Sequence, residues 1–91
     1  MDTYVYVLGT VSKNRYLTYV GWTGDVARRL AQHNCGRGAR TTRGRFWTLL
    51  YSERCENKRA AMSREWHLKR DRKFRKKLAD RLVRPMRPQP A

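Results

Sequence analysis

The run Tyr4 to Val11 is dominated by β-branched and aromatic residues, and Tyr16 to Gly21 has the same character. Ser12, Lys13 and Asn14 between them are turn formers, so the two runs are expected to pair as an antiparallel hairpin. Closure around Ser12 and Lys13 sets Tyr6 roughly opposite Tyr19. Any register that pairs an even with an odd position keeps these two tyrosines on one face. The chain has 91 residues, one domain's worth, so the core that this hairpin helps to build is small.

From Asp25 to Asn34 the pattern turns helical: Val26, Ala27, Leu30 and Ala31 share an arc, Thr23 or Asp25 can cap the start, and Cys35-Gly36 ends it. Arg37, Arg40, Arg43 and Arg45 follow, with glycines at 36, 38 and 44 and no acid among them, which reads as a basic loop. Phe46 to Tyr51 is a third strand. Asn57 can cap a second helix running to about Arg70, and Asp71 a third from Arg72 to Leu82. The order β-β-α-β-α-α predicts an α+β domain over residues 1–84, a small three-stranded antiparallel sheet flanked by three helices. The tail at 85–91 is proline-rich and is expected to be disordered.

Charge narrows the function. Lys and Arg number 22 against 7 Asp and Glu, a formal charge of +15, and a pI near 11.1 follows. A field of this size attracts polyanions, nucleic acid first and an anionic membrane surface second. Residues 1–68 hold 12 basic and 5 acidic side chains and residues 69–87 hold 10 and 2, so half the field comes from the last fifth of the chain. The third helix offers only Phe74, Leu78, Leu82 and Val83 as an apolar face, suited to docking on the domain rather than to a membrane. No apolar run approaches the roughly 20 residues that span a bilayer, and no basic stretch precedes the short apolar N-terminal segment. Cys35 and Cys55 are therefore expected as reduced thiols in a cytoplasmic protein.

Several polar residues sit where propensity would not place them. On a helical wheel Ala61, Met62, Trp66 and Leu68 form the apolar arc of the second helix, with Glu65 in its middle. An ion pair with Lys69 one turn later accounts for that carboxylate, and so does a hard divalent cation held through one oxygen. Arg29 and His33 stack at i, i+4 on the first helix. They are either a surface guanidinium with a half-buried histidine, or a cation for a phosphoryl oxygen beside a proton-handling group. Tyr6 and Tyr19 are packing residues in the plainer reading. Together, however, these groups could supply what phosphodiester hydrolysis needs: a proton acceptor near the attacking water, positive charge on the phosphate, and donors. A zinc site from His33, Cys35, Cys55 and His67 matches no standard finger spacing.

Tyr4-Val5-Tyr6, then Tyr19-Val20-Gly21, Arg29 and His33 at ten and fourteen positions past Tyr19, and Glu65 in the helix after the third strand resemble the GIY-YIG nuclease family. The likeness is to its small stand-alone bacterial members, related to the N-terminal nuclease module of the repair protein UvrC. Thr23, Asp25, Arg28-Arg29, His33-Asn34, Gly36, Gly38, Arg43, Tyr51-Ser52-Glu53, Arg64-Glu65 and Lys69 echo that subfamily, over about residues 4–70. Tyr4 stands where the first motif has glycine, and no Asn follows Glu65 to match the asparagine some members carry.

The resemblance implies a metal-dependent endonuclease of repair or recombination type, working by one-metal chemistry with Mg²⁺ or Mn²⁺. Tyr6 and Tyr19 would share a cleft, one helping to deprotonate the attacking water and the other positioning it or the phosphate. Arg29 would stabilise transition-state charge, His33 would support the tyrosines, Glu65 would hold the metal, and Gly21 would let the backbone approach closely. Nucleic acid, DNA ahead of RNA, would be gripped through phosphates by Arg28, Arg37, Arg40, Arg43, Arg45, Lys69, Arg72, Lys73, Lys76 and Lys77. A partner protein is a candidate for targeting. The competing expectation is a non-catalytic nucleic-acid-binding adaptor on the same fold.

Overall fold

The structure, a computed structural model, describes residues 2–83, with the backbone alone for Val83; the proline-rich tail lies outside the described residues. Its elements are β1 (Thr3–Ser12), β2 (Arg15–Thr23), α1 (Val26–Asn34), a single 3₁₀ turn (Arg40–Thr42), β3 (Thr48–Cys55), α2 (Lys58–Arg70) and α3 (Arg72–Val83). The strands pair antiparallel in the order β2-β1-β3. This is the α+β arrangement that the patterning predicts.

Because β1 is central and layered on both faces, Val5, Tyr6, Val7 and Leu8 are all buried. Val5 and Val7 join Val20, Leu68 and Leu78 in one core, with Phe74 packed against it, so α2 and α3 cover that face. Tyr6 and Leu8 join Trp47 on the opposite face, with Tyr19, Val26 and Leu30 alongside, so α1 covers the other. Each such side chain stabilises the fold by about 1.5–3 kcal/mol on burial. Phe74 and Leu78 dock on the domain as expected of the third helix.

The hairpin closes one step later than the turn residues suggest. Lys13 and Asn14 take φ of 51° and 64°, the two-residue turn whose twist suits a hairpin, and Ser12 pairs with Arg15. Tyr6 therefore stands opposite Gly21, and Tyr19 opposite Leu8. The even-with-odd pairing survives the shift, so both tyrosines remain on one face.

The third strand starts at Thr48 rather than Phe46 and continues to Cys55. Its register slips between Val7, which faces Tyr51, and Leu8, which faces Leu49. Leu50 is the extra residue of a bulge, which brings Leu50 and Tyr51 to the same core and breaks the alternation a sequence reading relies on.

Both helix arcs also differ from the wheel. In α1, Ala27 and Ala31 are exposed, and Val26, Leu30 and His33 face inward. In α2 the inward stripe is Ala61, Arg64, Glu65 and Leu68, while Met62 and Trp66 are 52% and 54% exposed. The Arg70 guanidinium stacks on the outward Trp66 ring at 3.7 Å. Capping follows the expected residues: Asp25, Asn57 and Asp71 accept from the backbone N–H of Arg28, Ala60 and Phe74. Of the basic residues on α3, Arg75 turns inward, donating to the carbonyls of Leu68 and Lys69 and to the Thr18 hydroxyl. It thereby ties the end of α2 to β2.

Candidate active site

The centre of the site is a chain of hydrogen bonds whose direction can be read. The Thr42 hydroxyl donates to the Ala39 carbonyl at 2.8 Å, so its oxygen is left to accept from His33 Nδ1, also at 2.8 Å. Nδ1 therefore carries the ring proton, and Nε2 accepts from the Tyr6 hydroxyl at 2.9 Å. Tyr6, His33 and Thr42 are all at most 1% exposed. Burial, reinforced by the Arg29 charge, lowers the His33 pKa from 6.5 and keeps the ring neutral. Burial pushes the Tyr6 phenol up to about 12; the Arg29 guanidinium opposes this, while Tyr19 and the Glu65 carboxylate add to it. One buried phenol thus bonds His33 and lies in the field of Tyr19, Arg29 and Glu65, the other four groups singled out from the sequence.

Close approach is secured by two glycines. A Cβ on Gly21 would lie 2.6 Å from the Tyr6 hydroxyl oxygen and 3.2 Å from the Tyr19 ring, so only glycine fits opposite Tyr6. A Cβ on Gly38 would lie 2.3 Å from His33 Nδ1. Tyr19 is half-buried, with its ring centroid 4.8 Å from His33 and 6.3 Å from Tyr6. The loop beyond α1 is pinned by Trp47, which exchanges two backbone hydrogen bonds with the Asn34 side chain and donates its indole N–H to the Thr42 carbonyl. Thr42, Gly38, Asn34 and Trp47 thus hold His33 in place. Asn34 and Gly38 stand out in the sequence only through the family resemblance, and Thr42 and Trp47 not at all, since side-chain periodicity does not extend into a loop.

Arg29 is half-buried on α1 and donates to Gln32 Oε1 at 2.9 Å, which steadies the guanidinium beside the tyrosines. Glu65 is the partly buried carboxylate of α2, 24% exposed, and Lys69 Nζ meets its Oε1 at 3.2 Å. No donor among the described residues reaches Oε2. A single carboxylate with one oxygen available fits a Mg²⁺-type ion that takes its other ligands from water and phosphate. Among the described residues no group of three or more His, Cys, Asp or Glu gathers as a metal cage. The zinc alternative also fails on chemistry, because both His33 nitrogens are committed to protein hydroxyls. A second network was not expected: Glu53 accepts from Arg64 Nε through both oxygens and from the Tyr51 hydroxyl, raising the Tyr51 pKa through that hydrogen bond.

Arg28, Arg37, Arg40, Arg43 and Arg45 are exposed, as are Arg72, Lys73, Lys76 and Lys77 on α3. Lys69 is exposed too, but is engaged by Glu65.

The profile of the GIY-YIG catalytic domain matches residues 2–79, most of the chain. The chain belongs to the GIY-YIG family. A UPF0213 protein of Natronomonas pharaonis is 45% identical over 69 residues, covering 75% of this chain and 78% of its own. A UPF0213 protein of Streptococcus pyogenes is 46% identical over 77 residues, covering 84% and 80%. The solution NMR structure of a UPF0213 protein from Bacillus halodurans is 36% identical, covers 86% of this chain and 82% of that one, and superposes with a TM-score of 0.48. GIY-YIG domains form a nuclease family, generally dependent on divalent metal and acting on nucleic acid. Among the described residues of this GIY-YIG domain, no helix is long and apolar enough to cross a membrane.

Proposed function

We propose that the protein is a metal-dependent endonuclease that hydrolyses nucleic-acid phosphodiester bonds, DNA ahead of RNA, with Mg²⁺ or Mn²⁺ held by Glu65. The observation that carries this reading is the Tyr6 hydroxyl donating to a neutral, Nδ1-protonated His33 opposite a glycine that leaves its oxygen room. A tyrosine that only packs needs one partner for its hydroxyl, not a partner whose other nitrogen is in turn held by a third side chain.

On this reading Tyr6 takes a proton without first ionising. Burial raises the Tyr6 pKa and lowers that of His33, so full transfer to the imidazole is uphill and no standing phenolate forms. Instead the Tyr6 oxygen accepts the proton of the attacking water while its own proton passes to His33 Nε2. Thr42 holds Nδ1–H throughout, so the imidazolium that forms keeps both its partners. Arg29 meets the charge developing on the phosphoryl oxygens, and the half-buried Tyr19 orients water or phosphate. Glu65 would hold the divalent ion, which when bound would supply Lewis acidity against the phosphate charge. Exposed Arg28, Arg37, Arg40, Arg43 and Arg45, with Arg72, Lys73, Lys76 and Lys77, hold the backbone without reading sequence. Lys69 would be released to phosphate when metal takes Glu65.

The Lys69–Glu65 ion pair also favours a second reading, an adaptor that binds nucleic acid and does not cut. Arg29→Ala separates the two. The nuclease loses most of its turnover with binding reduced only slightly, whereas an adaptor shows no divalent-dependent product before or after the change. A wild-type protein that yields no product from duplex, single-stranded or branched DNA in Mg²⁺ or Mn²⁺ refutes the nuclease.

A further inference from the structure

Phe46 is an exposed aromatic that the catalytic reading does not use. It is 76% exposed, the most exposed large apolar side chain among the described residues. The backbone beneath it is held firmly. The buried Thr10 hydroxyl donates to the Phe46 carbonyl at 2.7 Å, and the next residue, Trp47, is buried and pinned by Asn34 and Thr42. The chain therefore presents the phenyl ring to solvent on a fixed support, next to exposed Arg43 and Arg45. No acidic residue occurs between Asp25 and Glu53, a stretch with six arginines.

We propose that Phe46 is a base-stacking residue, which gives the arginine loop a preference for nucleic acid that presents an unpaired base over continuous duplex. The inference rests on reading that loop as a nucleic-acid surface. Charge complementarity selects the occupant: an exposed ring in a stretch with six arginines and no acid suits a π-face carried on a polyanion rather than an apolar peptide. Geometry selects the form. A phenyl ring stacks on the face of a base, and an unbroken duplex offers its edges and phosphates while hiding its faces. Overhangs, flaps, gaps and branch points expose them. Because the backbone is already fixed, little further ordering opposes the contact. Trp66, the other strongly exposed aromatic, has one face covered by Arg70 at 3.7 Å.

The test is equilibrium binding at physiological ionic strength with divalent ions chelated, comparing a blunt duplex with the same duplex bearing a single-stranded overhang labelled with 2-aminopurine. Wild type is expected to favour the overhang and to change the fluorescence of the label. Phe46→Ala is expected to weaken overhang binding by about five- to a hundredfold while leaving duplex affinity essentially unchanged. Phe46→Leu should lose as much, since it keeps apolar bulk without a π-face, and Phe46→Trp should restore the preference. Equal losses on both substrates, no loss on either, or a Leu variant as good as wild type would each overturn the proposal. Cleavage is not part of the readout, so an inactive wild-type protein that still discriminates the overhang would sink the nuclease and leave the stacking role standing. Absence of binding to both substrates overturns the loop reading itself.

Discussion

Thr42→Val tests the relay at its far end. Valine keeps the shape of threonine but leaves the buried His33 Nδ1–H without an acceptor, while Ala39 C=O loses one of its two donors and keeps the Thr42 backbone N–H. Leaving a buried donor unpaired costs about 1–3 kcal/mol. Taking about 2 kcal/mol, the melting temperature of a domain this size should fall by roughly 8–16 °C. The imidazole can recover part of the loss by moving its proton to Nε2, but it then ceases to accept from Tyr6. The variant is therefore expected to bind nucleic acid normally and cleave slowly, with Thr42→Ser restoring both properties. Long-range ¹H–¹⁵N correlation spectra of the ring report the tautomer directly. Wild type should show Nδ1–H and the Val variant a mixture or Nε2–H. A variant that melts within a degree of wild type and keeps the Nδ1–H form would refute the assigned direction of the chain.

Two further outcomes follow from the same pocket. Gly21→Ala places a Cβ 2.6 Å from the Tyr6 oxygen, and the buried ring must move off His33; overpacking of this kind costs about 1–3 kcal/mol, so calorimetry should show lowered stability together with lost turnover at near-normal binding. Stability should also depend on pH through His33. Its folded pKa lies below 6.5, so the unfolded chain binds a proton first, and the stabilisation present above pH 6.5 is lost as pH falls towards the ring's lowered value. Tyr6 acts at the other end, with stability lost as pH rises from 10 through about 12. Denaturant titrations across both ranges should show these slopes in wild type, and His33→Gln should lack the acidic one.

Legibility in the sequence tracks the range of the contact. Asp25, Asn57 and Asp71 act within one helical turn, and each cap is where the local pattern puts it. Tyr6 and Tyr19 share a face because alternation along a strand tolerates the two-residue shift that Lys13 and Asn14 impose. Glu65 stood out as a carboxylate in an apolar arc, although the true stripe includes Arg64 and excludes Met62 and Trp66. The arc drawn from hydrophobicity was too wide because an indole covered by a guanidinium can stay at the surface. Thr42 was invisible, and Gly38 stood out only through the family resemblance, for another reason. Both reach His33 from an irregular loop, where no period relates a residue to its partner. The bulge at Leu50 shifted the third strand for a like reason, since one inserted residue erases the alternation after it.

The central claim is that these groups cut nucleic acid with one ion on Glu65. Its most direct measurement compares wild type with Glu65→Gln on branched, single-stranded and duplex DNA, titrating Mg²⁺ and Mn²⁺ at physiological ionic strength and following cleavage and binding together. Wild type is expected to give divalent-dependent product, and the Gln variant none on DNA that it binds as well as wild type does. Full cleavage by Glu65→Gln in Mg²⁺ would contradict it.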